Sequence, residues 1–333
     1  MRLVALVVRR CLWMPPTLFG LILIVFVVSH VIPADPARVM AGENAPREQV
    51  EALRHQYGLD LPLARQFLRY LGDVASGNMG ISLYTQRPVA DDLLDRLPAT
   101  FELAFYALLA AVLIGIPLGV ACALRRNSLL DHAARVLTIA GLATAAFWLA
   151  ILLQLLFSMW LAITPVQGRI GGWGPDPITG FYTLDALLRG DWQTFLSALR
   201  YLALPALTLA IPATATIVRF TRAGMLNAMS SNFVFYQQAM GMPRRVVVWK
   251  YILRSALIGT LTQIGLILGT LLANTVVVET VFAWPGLGIF AYNSILQSDY
   301  NAILGFTLFL GAAFIAINLL VDLGQAVLDP RGR

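Results

Sequence analysis

Six basic side chains, Arg219, Arg222, Arg244, Arg245, Lys250 and Arg254, sit within one stretch that contains no Asp or Glu. At its centre runs Asn232-Phe-Val-Phe-Tyr-Gln-Gln-Ala-Met-Gly-Met-Pro-Arg-Arg245. Phe233, Phe235, Tyr236 and Met240 supply aromatic and apolar area, and Gly241 with Pro243 breaks a short helix expected over Asn232–Met240. Such a helix suits a groove in a partner protein, where aromatic anchors dominate the energy. The same basic and aromatic mixture also suits a helix lying on lipid headgroups. On both readings the chemistry is recognition.

Bond-breaking chemistry has no foothold in the residue inventory. Lys250 is the single lysine and follows Trp249, so no phosphate-cradling loop ending Gly-Lys-Ser/Thr exists. No Gly-x-Ser-x-Gly occurs, and His30, His55 and His132 are dispersed without metal-binding spacing. The chain is expected to hydrolyse no nucleotide and to hold no metal.

The elements that must position the basic stretch are membrane helices. The chain has 333 residues, 58% of them hydrophobic and 13% charged, with a mean hydropathy of +0.73. That balance excludes an ordinary soluble enzyme. Six windows without Asp, Glu, Lys or Arg are long enough to span a bilayer: Leu12–Ile32, Leu103–Leu124, Val136–Trp160, Tyr201–Val218, Ser255–Val278 and Tyr300–Val321. Backbone polar groups in lipid must pair internally, which makes these windows helices. A seventh charge-free window, Thr280–Ser298, contains Trp284-Pro285-Gly286 and then Asn293, Ser294, Gln297 and Ser298. A Pro-Gly break with a polar second half predicts a re-entrant or interfacial segment.

Charge then assigns the sides. With six spans and the N-terminus inside, the inner segments hold 14 Arg/Lys against 3 Asp/Glu, and the outer segments 10 against 15. This asymmetry predicts both termini in the cytoplasm. The formal net charge of +6 thus reports topology and not nucleic-acid binding. The first window is too long for a cleaved signal core and is expected to stay. Cys11 and Cys122 both fall near inner span ends and predict no disulfide.

Polar residues within the windows are few: Gln154, Thr262, Gln263, Asn274, Thr275 and Asn318, with Glu279 at the outer end of the fifth. Such groups either glue helices together or mark a pathway. Glu279 borders the Trp284-Pro285-Gly286 break, so Asn274, Glu279, Trp284, Pro285 and Gly286 are candidates for a translocation path or outer gate. Gly115-x-x-x-Gly119 and Gly265-x-x-x-Gly269 predict close helix contacts. The outer segment 33–100 is expected to carry two short amphipathic helices, Pro46–His55 and Pro62–Leu71, then a loop over Gly72–Ser82 and a helix over Val89–Leu97.

Over nearly its whole length the chain resembles the first permease subunit of the dipeptide/oligopeptide/nickel group of ABC importers. The densest resemblance is Val278-Glu-Thr-Val-Phe-Ala-Trp-Pro-Gly-Leu-Gly288, followed by Ser298-Asp-Tyr300. Further marks are Gly80-Ile-Ser82, Arg96-Leu-Pro-Ala-Thr-Phe-Glu-Leu103, Gly115-Ile-Pro-Leu-Gly119, Arg125-Arg-Asn-Ser128, Asn318-Leu-Leu-Val-Asp322 and Leu328-Asp-Pro-Arg331. Arg219-Phe-Thr-Arg-Ala-Gly-Met-Leu226 and Ala239-Met-Gly241 look like the cytoplasmic motif that couples permease to ATPase. Ala145, before Phe147-Trp148, stands where many relatives carry proline.

The resemblance implies an all-α polytopic membrane protein with six transmembrane helices and the type I ABC importer permease fold. Its segments would be a tail and first helix over 1–32, a periplasmic segment over 33–100, and a permease core over 101–333 with its coupling loop at 219–254. Asn232, Phe233, Phe235, Tyr236, Ala239, Gly241, Arg244 and Arg245 would carry the ATPase coupling. The implied partners are a second homologous permease, two cytoplasmic ATPases and a periplasmic solute-binding protein, in a bacterial inner membrane. ATP and Mg would be bound by those ATPases, with no cofactor in this chain. A self-contained secondary transporter or channel is the competing class. It would call for ionisable residues within the span cores, which these windows lack.

Overall fold

The computed structural model describes residues 2–31, 36–41, 45–57, 60–297 and 299–328. Four helical runs among them are long and apolar enough to cross a membrane: Val89–Leu124, Trp192–Met229, Arg244–Val281 and Tyr300–Val321. They carry the second, fourth, fifth and sixth expected spans. The first expected span lies on α1, Arg2–Val31, whose described apolar stretch is Met14–Val27. Helix α5, Val89–Leu124, has 36 residues, and α9, Trp192–Met229, has 38. At 1.5 Å per residue both exceed 50 Å by a rough count and so overrun a hydrocarbon layer of about 30 Å.

The third expected span, Val136–Trp160, is not one straight helix. It is built from α6, Leu129–Ala143, and from α7, Ala146–Leu153, which continues as a π-helical stretch over Gln154–Trp160. The two halves meet at 108°. No proline makes this break. Thr144 and Ala145 both take extended backbone, and Thr144 turns its hydroxyl back onto the Ala140 carbonyl at 2.7 Å. The chain thus bends at a position where the resemblance pointed to a missing proline.

Two compact units divide the chain, one built around Pro98–Gly286 with the C-terminal part of the last helix, the other around Val4–Leu97 and Leu287–Ala316. In the first, α9 is the central element: Leu202, Leu209, Ala213 and Ile217 join Leu103, Ala107 and Ala111 of α5 and Ile267 and Leu271 of α12, Leu253–Val281, in one buried cluster. The small residues of α5 permit that approach. A Cβ on Gly115 would lie 2.8 Å from Ile217, and one on Gly119 would lie 2.7 Å from Thr221. Gly265 plays the same part against Val321.

The second unit holds α2, Pro36–Ala41, α3, Arg47–Tyr57, and α4, Leu63–Ala75. α4 runs four residues past its expected end, so the loop begins at Ser76 and not at Gly72. It lies along α1, where Phe67 meets Phe19 and Phe26 at ring-centroid distances of 5.8 and 5.2 Å. Two of the short motifs converge here. Asp299, buried, caps α14, Tyr300–Leu328, through the Ala302 N–H, and accepts from Ser82 Oγ at 2.6 Å and the Tyr84 N–H at 3.1 Å. Asn301 donates to the Ile81 carbonyl and would stand 3.0 Å from a Cβ at Gly80, whose φ of +82 already favours glycine. Gly80-Ile-Ser82 and Asp299-Tyr300 are therefore two halves of one joint.

The seventh window yields α13, Leu287–Leu296. Ten residues reach about 15 Å, half a hydrocarbon layer, so α13 cannot cross a bilayer alone. Ser298, the closing residues 329–331 and the side chains of Cys11 and His30 lie outside the described set.

Candidate functional site

Helix α9 ends at Met229, and α10, Asn232–Ala239, starts after Ser230 and Ser231. One residue of α10 is buried: Val234, which packs with Met225 and Ala228 of α9 and with Val247, Val248 and Ile252 of the π-helical turn Val247–Ile252 that leads into α12. This single anchor orients the helix. Phe235, Tyr236 and Met240 are then 73%, 69% and 76% exposed. Gly241 closes the helix with φ +75, its N–H bonded to the Gln238 carbonyl at 2.9 Å. Nothing lies within 4 Å of where its Cβ would be, so the left-handed backbone and not crowding requires glycine.

All eight residues expected to couple to an ATPase are exposed: Asn232, Phe233, Phe235, Tyr236, Ala239, Gly241, Arg244 and Arg245. Arg244 and Arg245 form the short α11, Arg244–Val246, after Pro243, and Trp249 and Lys250 extend the exposed surface. The structure thus exposes Arg244, Arg245 and Lys250 with Phe235 and Tyr236 along the stretch from α10 to the π-helical turn, whereas Arg222 is half-buried against Asp131.

The five path or gate candidates are not collected in this way. Asn274 is exposed and donates to the Thr270 carbonyl of its own helix at 2.9 Å. Pro285 is exposed as well, whereas Glu279, Trp284 and Gly286 are buried. Thr100 Oγ1 donates to Glu279 Oε1 at 2.7 Å, and the Trp284 indole N–H donates to the Ala99 carbonyl at 2.9 Å. A Cβ on Gly286 would stand 2.5 Å from the Glu279 carboxylate. The turn is sharp enough that Ala283 takes φ +47. Gly286 leaves space for this buried carboxylate, and Thr100 supplies it with a donor.

Beside this turn is a polar cluster that spacing along the chain does not announce. Arg169 donates through Nε at 3.1 Å and Nη2 at 2.5 Å to Glu102 Oε2, while Thr183 donates its N–H and hydroxyl to Glu102 Oε1 at 2.8 and 2.6 Å. The guanidinium also covers the Tyr182 ring at 3.8 Å and lies 5.6 Å from the Trp284 ring. Its remaining Nη2 bond runs to the Gly180 carbonyl at 2.7 Å. Asp185 of α8, Tyr182–Leu188, fixes the adjoining loop. Burial raises its pKa, but hydrogen bonds from the Thr179 hydroxyl and the N–H groups of Ile178, Thr179 and Gly180 outweigh that and hold it below the ordinary carboxylate value. Glu102 had one local signal, a carboxylate at the edge of an apolar window that needs a cation. Arg169, 67 residues on, had none.

Comparison with known proteins decides the class. The model of the family described as binding-protein-dependent transport system inner membrane component matches residues 115–333, and its N-terminal companion matches residues 3–104. The chain belongs to this family. It is 45% identical to the probable D,D-dipeptide transport system permease protein DdpB of Escherichia coli (strain K12), over 97% of this chain and 96% of that protein. It is 40% identical to the di/tripeptide transport system permease protein DppB of Pseudomonas aeruginosa (strain UCBPP-PA14), over 99% of both. Among solved structures, inward-facing MetNI methionine ABC transporter matches with a TM-score of 0.52 at 18% identity, covering 71% of this chain and 96% of that one. That likeness concerns the fold. This family member is thus a multi-pass permease subunit of an ABC importer, and the self-contained transporter or channel is set aside.

Proposed function

We propose that this permease moves short peptides inward across a bacterial inner membrane, driven through α10 by a cytoplasmic ATPase. The observation that carries this reading is the geometry of α10: one buried anchor, Val234, and outward-facing Phe235, Tyr236 and Met240 on a basic segment. A short helix held by one buried residue and presented with its aromatic side chains open is suited to a protein groove. Peptide cargo is inferred from the named cargo of the relatives at 36–45% identity.

The complete machine would pair this chain with a second homologous permease, two ATPases that bind ATP and Mg, and a periplasmic binding protein that selects the solute. The permease itself would hydrolyse no ATP, because its one lysine lies outside any phosphate loop. Closure of the ATPases would displace α10 and rock the long helices between outward-facing and inward-facing states. Changing both Phe235 and Tyr236 to Ala tests this. ATPases should no longer co-purify, and peptide uptake should fall, while membrane insertion stays normal. A double variant that keeps both ATPase binding and uptake would make α10 a lipid-surface helix instead.

A further inference from the structure

Helices α6 and α9 meet along matched faces. The buried residues of α6 are Asp131, Ala134 and Gly141, a single stripe at helical spacing. At one end of the stripe a Cβ on Gly141 would touch Ile211 at 3.1 Å and Ala215 at 3.9 Å. At the other end Arg222 Nε and Nη2 donate to Asp131 Oδ1 and Oδ2 at 2.6 and 2.9 Å. The two contacts are ten residues apart on α6 and eleven on α9, so the helices run antiparallel in register for about 15 Å.

Asp131 is fully buried and is fixed from every side. Its Oδ2 accepts the Asn127 N–H at 3.0 Å, where Asn127 takes φ +61 to turn the loop. Its own N–H is capped by Ser128 Oγ, and Arg135 stands 3.6 Å away. A carboxylate gripped by both forks of a guanidinium sets orientation as well as distance, which a lysine in the same place would not. Arg222 lies one turn before Met225, and Met225 with Ala228 packs directly on Val234 of α10. α6 leads in turn to the 108° break before α7.

We propose that Asp131 and Arg222 are a positioning pair that makes α6 follow α9, so that a stroke received at α10 reaches the bend at Thr144–Ala145. The proposal rests on the coupling role of α10 given above. Without the pair, α9 would move and α6 would lag, leaving ATP turnover disconnected from solute movement.

The test uses the complete transporter, with its ATPases and binding protein, in proteoliposomes. The variants are Arg222→Lys, Asp131→Asn and the exchange Asp131→Arg with Arg222→Asp. Arg222→Lys retains the charge and is the mild variant that keeps the test usable should the others fail to insert. ATPases should remain bound to Arg222→Lys, while peptide moved per ATP hydrolysed falls by about tenfold, a scale reached by mutations within a coupling network. The exchange should recover part of that ratio. An Arg222→Lys transporter with the wild-type ratio overturns the proposal and reduces the pair to helix glue. The parallel Phe235 and Tyr236 double variant separates the two readings: retained ATPases there would sink the α10 role itself. Lost ATPases there, beside full coupling in Arg222→Lys, would sink only the pair.

Discussion

The α10 segment and the Glu279–Gly286 turn belong to one compact unit, carry aromatic residues in similar density, and are finished in opposite ways. At α10, Phe235 and Tyr236 stand open and one valine holds the helix down. At the turn, Phe282 and Trp284 are almost fully buried, and every neighbouring polar group named above is satisfied within the chain. Aromatic area that the chain covers itself stabilises the fold. Aromatic area left uncovered awaits another molecule. The same residue types therefore predict opposite consequences on substitution: loss of the fold at one region, loss of assembly at the other.

The largest expected effect is on the closed side. Glu102→Ala would leave Arg169 buried without its carboxylate, and stripping one partner from a buried pair costs about 3–5 kcal/mol. Gly286→Ala would press a methyl onto the Glu279 carboxylate, and overpacking of this kind costs about 1–3 kcal/mol. Both variants should lower the thermal unfolding temperature of the purified permease. Unchanged unfolding in both would mean that the cluster contributes nothing to the fold, and the contrast with α10 would collapse.

Next comes the open side. Truncating an aromatic anchor at an interface typically costs about 2–4 kcal/mol of binding. The Phe235 and Tyr236 double change to Ala should spend that loss on ATPase association while unfolding of the isolated permease barely moves. A destabilised permease with normal ATPase affinity would reverse the assignment of the two regions.

What was legible in the sequence divides along similar lines. The apolar windows and the helix that Gly241 ends are local facts, read from composition and from the conformational freedom of one residue. At the bend in Val136–Trp160 neither Pro nor Gly stands at Thr144–Ala145, so only the resemblance pointed to the place, and a threonine hydroxyl returning to the Ala140 carbonyl is an option that threonine leaves unused in many helices. The contacts of Thr100 with Glu279, of Glu102 with Arg169 and of Asp131 with Arg222 join residues 179, 67 and 91 positions apart. Nothing local encodes such pairings. The Trp284-Pro-Gly turn reads as a candidate gate from its break residues, while the burial of Glu279 and Trp284 there is seen only in the structure.

Gly241 offers a smaller and sharper perturbation of the open side. At φ +75 any Cβ is strained by about 1–2 kcal/mol, and the surrounding space is empty, so the strain has no steric companion. Gly241→Ala should therefore weaken ATPase association less than the aromatic double change, by relaxing the end of α10 and not by removing an anchor. Binding of ATPases to permease vesicles, titrated for both variants, ranks them. An alanine variant weaker than the double variant would show that the angle of α10 matters more than its aromatic area.

Asn274 gives the smallest expected effect on the fold and for that reason the cleanest reading of the path. Its amide is exposed and bonds the carbonyl four residues back on its own helix, so no buried partner is orphaned when it is removed. Substitution at such a position changes stability by about 0.5 kcal/mol or less. Asn274→Ala should leave unfolding and ATPase association unchanged, in contrast to both regions compared above. If Asn274 lines the path, peptide uptake should still fall, with the loss appearing at a fixed rate of ATP turnover. Uptake equal to wild type would remove it from the path and leave its amide as a purely intrahelical bond.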